Sequence, residues 1–168
     1  MSIEKQLPAL CSVVNQWRSF LWHLQTQWQA LNKWTERDVP LFLYSDLTED
    51  DRKKLKTAKA WIICDYDSFA GGRGDSEDHI FLATICVKRE ENVFDSLILG
   101  LCDDIIGCYE GSGIVMQDFT DPHNPVVIGQ EEMMFPAFAG AHMDPALSTE
   151  QVKVLTVEFH VAFNGWER

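Results

Sequence analysis

Leu155-Thr156-Val157-Glu158-Phe159-His160-Val161-Ala162-Phe163 alternates without a break: Leu155, Val157, Phe159, Val161 and Phe163 fall on one side, Thr156, Glu158, His160 and Ala162 on the other. Side chains along a strand point to opposite faces, so this period of two predicts a half-buried strand. A chain that closes on a sheet strand has that end tied down. No residue pattern of catalytic type accompanies it. The expectation is a protein that works through its sheet and its surfaces.

Working back from that strand, Ile114 to Phe119 reads as a strand, Asp121-Pro122-His123-Asn124-Pro125 as a turn, and Val126 onward as a returning strand that continues through Met133 to Phe138. Pro136 marks an edge or irregular piece, because proline cannot donate to a ladder. Gly140 to Ser148 reads as a loop. Asn92 to Tyr109 reads as a helix with a stripe of Val93, Phe94, Leu97, Ile98, Leu101 and Ile105, stopped by the glycines at 107, 111 and 113. Ala60 to Tyr66 and His79 to Lys88 read as strands, the second apolar on both faces as an inner strand must be. Between them lies an acidic, glycine-rich connection longer than a tight hairpin needs.

Further back, Thr48 is placed to cap a helix whose first turn holds Glu49, Asp50 and Asp51 and whose later turns hold Lys53, Lys54, Lys56 and Lys59. Pro40 separates it from a first helix, Leu7 to Trp34, with Leu10, Val13, Val14, Trp17, Phe20, Leu21, Leu24, Trp28 and Leu31 at steps of three and four. Trp17, Trp22, Trp28 and Trp34 give this helix more aromatic area than one domain readily buries. They are candidates for contact with a neighbouring subunit. The order, helices and strands in runs rather than alternating βαβ units, predicts one α+β domain over residues 1–168. Its expected form is a mainly antiparallel sheet with a long β-ribbon, packed by two to three helices. The tryptophan-rich helix occupies 1–36 and the remaining core 40–165.

Composition narrows the function classes. The 168 residues carry 26 acidic against 14 basic side chains, a net charge of -12. Such a surface repels phosphate backbones, so direct sequence-specific nucleic-acid binding is not expected. A ring past which DNA slides would tolerate this sign. No apolar run is long enough to span a membrane, and the first residues lack a secretory pattern, which points to the cytoplasm. Five widely spaced cysteines, with no C-x-x-C pair, read as small buried hydrophobes.

Candidate chemistry is sparse. Phe69, Gly71, Gly72, Arg73, Gly74 and Asp75 form the expected ribbon tip. They lack the lysine and hydroxyl of a phosphate loop and lead into a strand where a cradle needs a helix N-terminus. The tip therefore reads as a mobile loop able to order against a partner. His123, Glu131, Glu132, His142 and Asp144 could supply imidazole and carboxylate ligands, yet they lack ligand spacing. No nucleophile elbow appears, and no cysteine sits beside a basic group at a helix start. No catalytic residue, cofactor or metal is assigned. One alternative stays open in a small soluble enzyme or metal-dependent hydrolase using the region of His123, His142 and Asp144. Another is an acidic regulatory protein that binds a basic partner.

The ribbon and helix, from His79-Ile80-Phe81-Leu82-Ala83-Thr84-Ile85-Cys86-Val87 into Val93-Phe94-Asp95-Ser96-Leu97-Ile98, together with the closing Val154 to Val161, resemble the tail-terminator and tail-completion proteins of long-tailed phages. The similarity is one of order and pattern over roughly residues 40 to 165, closest to the Mu-like prophage small tail proteins and the lambda-type tail terminator. The long tryptophan-rich helix and the insertion Asp121 to Ser148 depart from it. The resemblance implies a non-enzymatic protein acting as a ring of identical copies, a hexamer in that family. It would cap the tail tube, with the tube protein and the head-side connector as partners, in the host cytoplasm and the virion tail. On that view the Phe69 to Ser76 loop touches the tube and the four tryptophans help cover a neighbour.

Overall fold

A computed structural model describes residues 13–43, 48–70, 78–110, 113–128 and 134–163. In chain order the elements are helix α1 (Val13–Trp34), strand β1 (Leu41–Leu43), helix α2 (Glu49–Thr57), strands β2 (Ala60–Ala70) and β3 (Asp78–Lys88), helix α3 (Ser96–Gly107), and strands β4 (Gln117–Asp118), β5 (Val126–Val127), β6 (Met134–Met143) and β7 (Val152–Phe163). The architecture is α+β in one domain. Five strands make the main sheet in the order β1-β2-β3-β7-β6, and β4 pairs with β5 in a small second sheet. Only β1 runs parallel to its neighbour; the β2–β3, β3–β7 and β7–β6 pairs are antiparallel.

Cross-strand rows explain why β7 alternates. Ile62, Ile85 and Leu155 lie side by side on one face, then Cys64, Ala83 and Val157, then Phe81 and Phe159. All are buried. The small middle row leaves room for the helices that cover this face. α1 brings Phe20, Leu21, Leu24 and Trp28 to it, and α3 brings Ile98, Leu101, Cys102 and Ile105. Val154 and Thr156, on the opposite face, are buried as well, so β7 is an inner strand rather than a half-exposed one.

Local rules set the helix ends. Thr48 caps α2 as expected, and Asp51 completes a capping box, hydroxyl and carboxylate each accepting a backbone N–H. α1 closes with Glu36 at φ 53, while Arg37 N–H reaches the Asn32 carbonyl at 2.8 Å and Glu36 N–H the Lys33 carbonyl at 3.4 Å. That pattern normally ends on glycine. Residues 7–12 of the expected first helix lie outside the described residues.

Several expectations need correction. The third helix starts at Ser96 and not at Asn92, because Phe94 (φ 55, ψ 31) and Asp95 (φ 58, ψ 15) take left-handed conformations that no right-handed helix contains. Val93 and Phe94 are therefore exposed instead of joining the apolar stripe. Ile114 to Phe119 is largely irregular, with a two-residue strand and a single bridge from Ile114 to Met134. Side chains of α1 hold it instead: Asn15 Oδ1 accepts Phe119 N–H at 3.1 Å, and Ser19 Oγ accepts Gln117 N–H at 2.9 Å. The expected loop from Gly140 begins only after Met143, since β6 absorbs its glycine in a bulge between Phe138 and Gly140.

Phe20 is wholly buried, 4.5 Å from the Tyr109 ring and 4.8 Å from Phe81. Phe20→Ala should lower the unfolding free energy by about 3–5 kcal/mol in urea titrations. A loss below about 1 kcal/mol would contradict this packing.

Candidate functional site

β6 carries the most unusual surface. Met134-Phe135-Pro136-Ala137-Phe138-Ala139-Gly140-Ala141-His142-Met143 contains no Asp, Glu, Lys or Arg, in a chain with net charge -12. It is a terminal strand of the main sheet. The Met134 N–H and C=O both bond to Ile114, so Met134 presents its backbone away from β7. By alternation Pro136 and Phe138 do the same, and proline has no N–H to leave open there. Asp144 N–H bonds to the Val154 carbonyl, which turns the backbone of Ala141 and Met143 outward beyond the bulge. Among the described residues no strand pairs with this side past Met134. Phe135 and Phe138 stay 41% and 47% exposed, Phe138 leaning edge-on against Phe159 at 6.4 Å. Exposed edges are ordinarily protected by charge, and this one has only proline and a bulge.

The four tryptophans separate. Trp28 is 2% exposed, donates its Nε1–H to the Val39 carbonyl at 2.9 Å and lies 4.7 Å under the Arg37 guanidinium. It belongs to the core and not to an interface. Trp17 is half-buried, its ring 4.7 Å from Phe81, and packs against the same core. Trp22 meets Phe119 edge-on at 6.0 Å with part of its surface in solvent, and Trp34 is 84% exposed. These two remain available to a neighbour.

Gly71, Gly72, Arg73, Gly74 and Asp75 lie outside the described residues; only the backbone of Phe69 is described, paired with His79 in the ribbon. Glu131 and Glu132 also fall outside. His142 sits on β6, paired with Thr156 and exposed. The Asp144 carboxylate accepts the N–H groups of Ala146 and Leu147 at the turn that follows. His123 is exposed in the β4–β5 turn, where its N–H goes to Asp121. Among the described residues no three of His, Cys, Asp and Glu gather as ligands would. His79 is buried and stacked 6.1 Å from Phe81, because on the central strand β3 it shares the core-facing side with Phe81, opposite Val161. His160 does lie half-buried, 2.9 Å from Glu158.

Cys64, Cys86 and Cys102 are buried, as expected, whereas Cys108 is only half-buried; Cys11 is not described. Burial, reinforced by Asp65, pushes the Cys64 thiol up to about 12, and burial first of all raises Cys86 and Cys108 to about 11. Buried Tyr109 is pushed well above its ordinary value. These groups keep protons that the unfolded chain releases. Their contribution is intact below the ordinary thiol value of 9.0 and is lost as pH rises through the folded values. Urea unfolding from neutral pH upward should show stability falling from about pH 9, with Cys64→Ala making the fall shallower. A flat profile above that pH would refute the burial described.

Two features escaped sequence reasoning: the exposed Phe94 and the long neutral edge. The absence of charge from Met134 to Met143 was the signal available for the second. No protein-family model matches the chain, and no curated protein matches its sequence.

Proposed function

We propose that this chain is a non-enzymatic structural subunit of a phage or prophage tail, completing or capping the tail tube as a ring of identical copies. The neutral edge of β6 carries the reading. Copies that each bear a charge of -12 repel one another, so they meet most readily where charge is missing and backbone groups are open. A head-to-tail contact of this kind closes into a ring when its rotation permits. Exposed Trp34 and partly exposed Trp22 add apolar area on α1. The order of ribbon, helix and closing inner strand supports the same reading, through its resemblance to tail terminators.

On this reading the partners are further copies of the chain, the tail tube protein and the head-side connector. The protein works in the host cytoplasm and then in the virion tail. DNA passes without sequence-specific contact, and no membrane is involved. Among the described residues no helix is long and apolar enough to cross one.

Light scattering with mass measurement, electron microscopy and incubation with purified tail tubes test the proposal together. Rings that bind tube ends are expected. A strict monomer that ignores tubes would count decisively against it. Ala137→Lys and Phe138→Lys place on the edge the charge that protective edges carry, and should abolish rings while leaving the far-ultraviolet spectrum unchanged.

A further inference from the structure

We propose that β6 of one copy joins the opposite border of the next copy's sheet, at strand β1, so that successive sheets become continuous. The inference rests on the ring reading above and names the surface that receives the neutral edge. A ring needs a head-to-tail contact between two different patches, whereas β6 against β6 of a second copy is two-fold and stops at a dimer. The main sheet has one other terminal strand, β1. Ile62 N–H donates to the Pro40 carbonyl at 2.9 Å, so in this parallel pair Pro40 and Phe42 face β2 and Leu41 faces away. Among the described residues nothing bonds the Leu41 N–H or C=O. The Val39 carbonyl upstream is already taken, by Trp28 Nε1–H and Asn32 Nδ2–H at 2.9 Å each, which confines the opening to Leu41 and beyond.

The surroundings of this edge suit an uncharged strand. A concavity of about 390 Å³ opens there, lined by Leu41 and Phe42, by Gln25, Gln29 and Asn32 of α1, and by Asp51 and Lys54 of α2. The last two are its only charged lining residues, one of each sign, and Asp51 already accepts the Thr48 N–H. The concavity thus has no net charge to attract a strand of either sign. The side-chain amides of Gln25 and Gln29 make no hydrogen bond among the described residues, and each can donate to or accept from an incoming backbone. β6 brings what fits: ten residues without a charge, with both backbone groups of Phe138 and Ala141 turned outward. Strand addition of this kind takes its affinity from main-chain hydrogen bonds. β5, a further free edge, is two residues long, and Asp118 sits on the strand beside it.

Complementation between full-length variants tests the joint. Ala137→Lys with Phe138→Lys blocks the edge and leaves the concavity; Gln25→Lys with Gln29→Lys blocks the concavity and leaves the edge. Both pairs lower the net negative charge, so neither acts by adding repulsion between copies. In sedimentation at up to about 1 mM, each should be monomeric where wild type assembles. An equimolar mixture of the two should give a dimer and nothing larger. Gln27→Lys, exposed on the same helix outside the concavity, should assemble as wild type does. The proposal is overturned by wild type that stays monomeric or stops at a dimer, by a Gln25→Lys/Gln29→Lys variant that assembles normally, by equal loss on Gln27→Lys, or by a mixture that stays monomeric. Tail-tube binding is read separately. Copies that complement in this way yet ignore tubes sink the tail reading alone; rings that bind tubes but form with the concavity blocked sink the joint alone.

Discussion

Four aromatic rings hold the layers together. Phe20 of α1 stacks on Tyr109, just beyond α3, and meets Phe81 of β3 and Phe159 of β7 at 4.8 and 5.6 Å. The Tyr109 hydroxyl donates to the Phe20 carbonyl at 2.8 Å, so the polar end of the only phenol in this cluster is satisfied where water is excluded. Each ring comes from a different element. Helix, sheet and the end of the next helix are thereby fixed in one arrangement, and the register of β3 against β7 follows from the Phe81–Phe159 pair. The Arg37–Asp104 ion pair at 2.6 Å ties the segment just after α1 to α3 nearer the surface.

With that interior set, the surface divides by charge. Acidic side chains dominate the chain as a whole, the lysines gather on α2, and β6 carries no charge at all. Like-charged copies approach where repulsion is weakest. The neutral edge of β6, with its open backbone groups, is where the proposed contact between copies meets least repulsion.

Strand and helix identity was largely legible from period and punctuation. The alternation from Leu155, the inner character of β3 and the Thr48 cap all correspond to observed structure, since each rests on neighbours within a few residues. Boundaries were less legible. Asn92 looked like a helix start because Val93 and Phe94 continue an apolar spacing, yet a buried Asn92 and the Lys153–Asp95 bridge force the opposite backbone hand. Lys153 is 58 residues away, beyond any local pattern. β6 ran past Gly140 because pairing with β7 outweighs the weak strand preference of glycine and alanine.

Sequence by itself determined most element types, the α+β class, the burial of Cys64, Cys86 and Cys102 and the acidity of the chain, because these follow from local periodicity and from composition. Tertiary structure alone decided which tryptophans enter the core, that His79 is enclosed, that Phe94 is displayed and that β6 is left at the border of the sheet. Those outcomes depend on which distant segments meet, and a helical stripe or an alternating strand specifies a face without specifying what comes to cover it.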